Sequence, residues 1–457
     1  MSEQNFDIVV LGGGSAGYAA AIRAVELGLT AAVIEKDKLG GTCLHRGCIP
    51  TKALLHAAEV AEVSKDAAKY GIKAAFDGID MSGVAAYREG IVSSKWKGLQ
   101  GLLKARGIPV IEGEGRLVAA NAVQVGDDRY VGKNIVLATG SYSKSLPGLD
   151  IGGRVITSEH ALELDFVPKK VAVLGGGVIG VEFASVWRSF GAEVTIIEAL
   201  PHLVPNEDES VSKQLERAFR KRGIEYSLGV RFQSVTQNDQ GVVVTLENGQ
   251  TYEAELLLVA VGRGPVTENL GYEEVGVTLD RGFVPTNERL ETNVPGIYAV
   301  GDIVPGLQLA HRSYQQGIFV AEEIAGLSPI IVEDVNIPKI TYCEPEIASV
   351  GYTEAKAAEK FGADQVSAFD YNLAGNGKSS ILGTTGSVKV VRVNDGPIVG
   401  VHIIAGRAGE LIAEAQLAVN WEAYPEDIAP FIHAHPTQGE AFGEAVLKLA
   451  GKPLHAI

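Results

Sequence analysis

The apolar residues of this chain follow two periods. Ile8-Val9-Val10-Leu11, Ala32-Val33-Ile34, Val171-Ala172-Val173-Leu174 and Val194-Thr195-Ile196-Ile197 are short runs that are almost wholly apolar. Runs of that kind are strands buried on both faces. Between them the helical period appears: an Ala-rich stretch after Gly17, residues 53–70, and roughly 80–106, with Trp96 and Leu99 on its apolar side. Turn signals at Gly126-Asp127-Asp128, Asn238-Asp239 and Asn248-Gly249 divide two β-rich segments, near 108–137 and 229–260, which predicts a small meander in each. From about Pro338 the pattern changes to mixed strands and helices, ending in an amphipathic helix. That part reads as a separate α+β domain.

One order of signals occurs twice. A strand runs into Gly12-Gly13-Gly14-Ser15-Ala16-Gly17, a helix follows, and a second strand ends in Glu35. Another runs into Gly175-Gly176-Gly177-Val178-Ile179-Gly180, a helix, and a strand ending in Glu198. In each copy the acid stands 23 positions after the first glycine. This is the dinucleotide-binding pattern. Gly12 and Gly175 allow the turn, Gly14 and Gly177 let backbone approach a pyrophosphate, and Gly17 and Gly180 let helix and strand lie close. The helix N-terminus offers free N–H groups to the phosphates, and the acid accepts a ribose diol. A carboxylate there repels a 2′-phosphate, and Ala199-Leu200-Pro201-His202-Leu203 offers no nearby arginine, so the second copy favours NAD over NADP. Apolar strands ending in Gly140 and Gly262 echo the duplication. Two dinucleotide sites on one chain imply electron passage between them.

Composition narrows the class. A chain of 457 residues needs more than one core, and 46% hydrophobic with 21% charged residues is that of a folded globular protein. A net charge of −16 disfavours nucleic acid and anionic membranes. No apolar run reaches the length of a membrane span and no signal peptide is evident, so the expected location is the cytoplasm. Three cysteines make neither a disulfide framework nor a four-cysteine zinc site, and no metal is expected.

Two of the three cysteines, Cys43 and Cys48, lie in Gly-Gly-Thr-Cys-Leu-His-Arg-Gly-Cys-Ile-Pro-Thr-Lys, residues 40–52. Five helical steps would carry their side chains apart, and a disulfide needs Cα atoms within about 7 Å. A bridge therefore requires irregular backbone, which Gly47 and Pro50 can supply. The pair is either two buried structural thiols or a redox dithiol; in a reducing compartment a dithiol is more often catalytic or metal-binding. Cys343 has no partner in view. Asp302, in Val300-Gly301-Asp302, either caps the helix holding Tyr314 or binds a ribityl hydroxyl.

These motifs, with Ala138-Thr139-Gly140-Ser141, Leu309-Ala310-His311 and His433-Ala434-His435-Pro436-Thr437, resemble the flavoprotein disulfide reductases along the whole chain. Within them the likeness is strongest to the enzymes that oxidise dihydrolipoamide. The resemblance implies two Rossmann-like dinucleotide-binding domains plus a C-terminal dimerisation domain. The expected ranges are 1–146 for the FAD domain, 147–265 for the NAD domain, 266–335 for a second part of the FAD domain, and 336–457 for dimerisation. It implies FAD in the first unit, with Glu35 on the ribose, Lys52 near the flavin and Asp302 on the ribityl chain. Lys36, Thr42, Gly115, Thr139, Gly140, Ser141, Leu309, Ala310 and His311 are further implied contacts. The second unit would hold NAD with Glu198, Gly262 and Glu182. A Cys43–Cys48 redox disulfide is implied, with His435, polarised by Glu440, as the base that deprotonates the dithiol, delivered across a homodimer. Lipoyl domains and the core acyltransferase of 2-oxo acid dehydrogenase complexes, or glycine cleavage, would be the partners. His433 reads as a satisfied surface histidine. The chain departs from the usual pattern at His45-Arg46, Gln438-Gly439 and Gly264. Glutathione-type relatives would want arginines after Glu198, and mercuric or selenium types a terminal thiol pair; both are absent.

Overall fold

The computed structural model describes residues 2–331 and 333–456; Met1 and Ile457, the ends of the first and last expected domain ranges, and Val332 lie outside them. The first unit begins with β1 (Glu3–Leu11), α1 (Ser15–Glu26) and β2 (Ala31–Glu35), followed by α2 (Gly41–His45), α3 (Cys48–Asp66) and α4 (Met81–Ala105). β3 (Val110–Glu112) lies at the edge beside β2, and the meander is β4 (Gly115–Ala119), β5 (Ala122–Val125) and β6 (Asp128–Leu137). The sheet order is β3-β2-β1-β6-β5-β4, parallel from β3 to β6 and antiparallel beyond. Apolar runs such as Ile8–Leu11 form its centre because both faces are covered: Ile8 and Val10 pack against α1 and Phe319–Ala321, Val9 and Leu11 against Leu117 and Val123 of the antiparallel strands and Tyr272.

After β7 (Ser141–Ser143), β8 (Val155–Ile156) and α5 (Ser158–Leu162), the second unit repeats the order with β9 (Lys170–Leu174), α6 (Val178–Phe190) and β10 (Glu193–Glu198). Next come α7 (Glu209–Arg222), β11 (Ile224–Leu228) and the three-stranded β12 (Phe232–Gln237), β13 (Val242–Leu246) and β14 (Thr251–Ala254). β15 (Leu256–Val259) completes the parallel order β11-β10-β9-β15-β8. The chain then returns. β16 (Arg263–Pro265) pairs with β7, and β17 (Ile297–Ala299) pairs with β6 through Ile297–Ile135. α8 (Ala310–Ile324) lies on α1, so close that a Cβ on Gly317 would stand 2.3 Å from the Ala16 carbonyl.

The C-terminal domain is an antiparallel sheet of β18 (Lys339–Thr341), β19 (Glu346–Gly351), β20 (Val366–Asn372), β21 (Ser387–Val393) and β22 (Ile398–Ala405), in the order β18-β19-β22-β21-β20. Among its helices, α9 (Ala408–Asn420) and α10 (Glu440–Leu449) bury Ile412, Ala415, Phe442 and Val446 against that sheet.

The duplication extends to single hydrogen bonds. Gly12 N–H donates to the Ile34 carbonyl and Gly175 N–H to Ile197, both at 2.8 Å. Gly12 stands at φ +107° and Gly175 at +112°, where a Cβ would meet Ala138 or Ala260 backbone at 2.3 Å. A side chain on Gly17 or Gly180 would fall 1.8 or 1.9 Å from the carbonyl of the turn glycine. These positions admit only glycine.

Candidate active site

Cys43 and Cys48 lie where α2 meets α3. The two helices are interrupted at Arg46 and Gly47, and Gly47 takes φ −142° and ψ −108°. That break supplies the irregularity the spacing demanded. Pro50 does not: Ile49 and Pro50 are helical, and proline in a first turn forfeits no hydrogen bond. The start of the segment is tied to the first glycine turn, since Gly40 N–H donates to the Gly13 carbonyl at 2.9 Å. A Cβ on Gly41 would stand 2.9 Å from Gly14 Cα. The dithiol is thus built directly onto the dinucleotide fingerprint.

The two thiols are free and have different neighbours. Cys48 opens α3, where unpaired N–H groups favour an anion. The neighbouring Cys43 thiol and Lys52 together outweigh burial and lower Cys48 to about 7. The Cys48 neighbour, with burial, drives Cys43 far upward. The pair is polarised, with the negative charge resting on Cys48.

Lys52 stands one helical turn after Cys48 and so shares its face of α3. Its amine bonds both Glu182 oxygens at 3.0 Å. Glu182, on α6 and 2% exposed, also accepts Tyr342 N–H at 2.9 Å, and the Lys52 amine sits 4.8 Å from the Tyr342 ring centroid. Burial alone would lower the Lys52 pKa; the Glu182 carboxylate raises it instead, so the ammonium stays charged beside the thiolate. The motif of one unit is thereby locked to the helix of the other. Nothing in the local sequence around Tyr342 announced this role. For Lys52, the i+4 offset from Cys48 was a usable signal.

The acids sit as the duplication requires. Glu35 accepts Gly13 N–H at 2.7 Å and Asp37 N–H at 2.9 Å, and Glu198 accepts Gly176 N–H and Leu200 N–H, both at 2.7 Å. Each oxygen keeps a lone pair for a ribose hydroxyl. The fit to two dinucleotides is direct. A Cβ on Gly177 would meet nothing within 4 Å and one on Gly14 only Gly41 Cα at 4.0 Å, leaving the N-termini of α6 and α1 open for pyrophosphates.

Asp302 lies in a 3-10 turn, Gly301–Ile303, and accepts the Ser141 hydroxyl. It does not cap α8, whose N-cap is Leu309 with no side-chain bond, so the capping alternative falls. Ser141 also receives Arg263 Nε at 2.8 Å. Thr139 donates to the Val266 carbonyl at 2.6 Å, and Gly140 and Gly262 take φ +78° and +112°. Leu309, Ala310 and His311 form the start of α8, with His311 Nε2 at 2.7 Å from the Pro338 carbonyl. Lys36 is exposed and 3.9 Å from Glu114, and Thr42 lies in α2. Gly115 opens β4, and its missing side chain is explained by packing: a Cβ would stand 2.6 Å from Leu11 and 2.8 Å from Ile34. Cys343 is buried and donates to the Pro345 carbonyl at 3.2 Å.

In the C-terminal domain, His435 Nδ1 lies 2.7 Å from Glu440 Oε1, and the other Glu440 oxygen takes Thr437 N–H at 2.8 Å. Burial would raise the Glu440 pKa; the Thr437 N–H and His435 bring it below the usual carboxylate value. An ionised Glu440 holds the Nδ1 proton and leaves Nε2, on an exposed ring, free as an acceptor. The geometry brings His435 and Glu440 together; among the described residues no hydrogen bond or ion pair joins them to the dithiol. His433 instead bonds Glu414 at 2.9 Å and fills the space over Gly443.

Arg46, the unusual residue between the cysteines, turns to Asp37 in an ion pair with about half of each side chain exposed. His45 Nε2 bonds the Leu39 carbonyl at 2.9 Å and its ring stands edge-on to Trp96. The charge of Arg46 is therefore spent away from the dithiol. Exposed pairs are worth under ~1 kcal/mol, so Arg46→Val should shift the dithiol potential by less than about 20 mV in a redox titration.

Residues 6–317 match the pyridine nucleotide-disulphide oxidoreductase family and residues 337–446 match its dimerisation domain. The chain belongs to the pyridine nucleotide-disulphide oxidoreductases. Relatives include a dihydrolipoyl dehydrogenase of Bacillus subtilis, 38% identical over 98% of this chain and 99% of that one. Mitochondrial dihydrolipoyl dehydrogenase 1 of Arabidopsis thaliana is 40% identical over 99% and 92%. Among solved structures, LpdA of Mycobacterium tuberculosis superimposes with a TM-score of 0.90 at 27% identity, covering 98% of this chain and all of that one. This oxidoreductase is an enzyme of a family that uses FAD and NAD(H), and its dimerisation domain supports a homodimer. Among the described residues no helix is long and apolar enough to cross a membrane.

Proposed function

We propose that this oxidoreductase oxidises protein-bound dihydrolipoamide to lipoamide with NAD⁺, through a Cys43–Cys48 redox disulfide. The observation that carries the reading is the setting of the dithiol: Cys48 at the N-terminus of α3, one turn before a Lys52 that Glu182 holds at 3.0 Å. FAD on the first unit and NAD⁺ on the second supply the path by which the electron pair leaves the dithiol. The chain does the rest. His435, oriented by Glu440 and reaching the other copy's dithiol, takes a proton from the substrate thiol. The resulting thiolate attacks Cys43, and Cys48 leaves as the better-stabilised thiolate. Lys52 offsets that charge, and Glu182 fixes Lys52. Glu35, Lys36, Thr42, Thr139, Gly140, Ser141, Asp302 and the Leu309–His311 turn hold the first nucleotide; Gly115 contributes backbone only. Glu182, Glu198 and Gly262 hold the second.

We place the domain boundaries at 146/147, 265/266 and 335/336; the β17–β6 pairing supports joining the two outer segments into one FAD unit. As partners we infer lipoyl domains and the core of a 2-oxo acid dehydrogenase or glycine-cleavage system, in the cytoplasm; the name dihydrolipoyl dehydrogenase, which relatives carry, supports the lipoyl substrate alone. Anaerobic mixing tests the reading. Dihydrolipoamide should reduce the bound flavin and raise a long-wavelength absorbance, while NADPH and glutathione should not. A flavin that dihydrolipoamide leaves oxidised would refute it.

A further inference from the structure

Each fingerprint turn is closed by a residue downstream of its acid. In the first unit Gly40 N–H donates to the Gly13 carbonyl at 2.9 Å; in the second, Val204 N–H donates to the Gly176 carbonyl at 2.8 Å. Both closing residues take a positive φ, +106° at Gly40 and +44° at Val204. Glycine adopts that conformation freely. For a β-branched residue it is strained, and it persists only where the surroundings impose it. Something must hold Val204 there.

The holding groups come from the C-terminal domain. Val204 is buried, and its carbonyl accepts Glu207 N–H at 2.9 Å. Glu207 receives the Ser349 hydroxyl of β19 and lies 3.3 Å from Lys339 Nζ of β18. Asp208, buried at the N-cap of α7, accepts Ser210 N–H at 3.1 Å and the Lys389 amine of β21 at 2.8 Å. Its other oxygen accepts Glu354 N–H at 3.1 Å. Lys389 is buried as well and lies 2.7 Å from the Glu354 carboxylate. The segment that leaves Glu198 is thus tied at Val204 to the turn and at Asp208 to another domain. We propose that the buried Lys389–Asp208 pair is a positioning strut through which the C-terminal domain shapes the second nucleotide site. It keeps Val204 in its strained conformation, and Val204 N–H keeps the Gly176 carbonyl. Gly176 is then held on both sides, its own N–H bonding Glu198 at 2.7 Å, and the acid is aimed at the ribose. Lys389 and Asp208 act through this loop. The first unit needs no such strut, because its closing residue is glycine.

The strut rests on the reading of Glu198 as the NAD ribose acceptor, so that residue is tested beside it. NAD⁺ binding to the oxidised, flavin-loaded enzyme is followed by calorimetry, which needs no lipoamide. Lys389→Met, and Asp208→Asn combined with Lys389→Met, should each weaken NAD⁺ about tenfold. The KM for NADH in dye reduction should rise by the same factor, with kcat and the flavin spectrum as in the parent. The double variant leaves no buried charge unpaired, so it decides the matter if the single one fails to fold. With Val204→Gly the loop conformation is unstrained, and removing the pair should then weaken NAD⁺ by about twofold or less. Glu198→Ala should weaken NAD⁺ as well. Parental NAD⁺ affinity in the double variant would overturn the strut, and so would an equal loss with and without Val204→Gly. Parental affinity in Glu198→Ala would instead strike the reading of the second site.

Discussion

Replacement of Cys48 by serine is expected to abolish dihydrolipoamide oxidation and to spare NADH-driven dye reduction. The physical reason is electronic. A serine hydroxyl titrates far above neutrality, whereas the surroundings of Cys48 bring its thiol to about 7. A thiolate is the form that acts as nucleophile and leaving group. Without it the dithiol cannot close or open, and turnover should fall to background. Cys43→Ser should do the same, because the attacking substrate then has no sulfur to bond. The two variants part in one respect. In the reduced parent, alkylation attributable to Cys48 should rise through a midpoint near 7, since the thiolate gains population as pH climbs past that value; this phase should vanish in Cys48→Ser and persist in Cys43→Ser, whose hydroxyl can still donate to the Cys48 sulfur. Stopped-flow reduction and mass spectrometry of the alkylated peptides would check both points. Unchanged lipoamide turnover in either serine variant would end the dithiol mechanism.

The second large effect is expected at His435. General-base catalysis contributes about 10²–10⁴-fold, and the substrate thiol, with an ordinary pKa near 8.5, is about 95% or more protonated at neutral pH. His435→Ala should therefore lower lipoamide turnover by about that factor while the flavin remains bound and dye reduction continues. Raising the pH should recover part of the loss, because the solvent then ionises the substrate without a base. Glu440→Gln should give a smaller loss: the imidazole stays, but the carboxylate that held its Nδ1 proton is gone. Steady-state rates from pH 6 to 9 would separate these variants. Near-parental turnover in His435→Ala would remove this residue from the proton path.

The glycine turns were legible in the sequence because their causes are local. Gly12, Gly17, Gly175 and Gly180 are fixed by contacts within one strand–turn–helix unit or with the adjoining strand end. The same holds for Glu35 and Glu198, which bond the turn and the backbone two residues on. His435 and Glu440 lie five residues apart and needed only one loop and one helix start to meet. Spacing along the chain carried this information.

Other features depend on segments that meet only when the domains pack. Lys52 finds Glu182 across 130 positions, and Glu182 finds the Tyr342 backbone across another 160. Asp302 was a cap or a ribityl ligand by sequence; its bond to Ser141, 161 positions away, with Leu309 standing at the helix start, decided against the cap. The irregular backbone at the dithiol was foreseen at Gly47 and lies there; the share given to Pro50 falls, because α3 already begins at Cys48. By itself the sequence determined two dinucleotide units, because each is encoded in the short-range geometry of a strand, a turn and a helix; the redox role of the cysteine pair and its candidate base came from the family resemblance. Only the tertiary structure decided which thiol bears the charge and what steadies it, because that depends on electric fields from side chains that folding brings together.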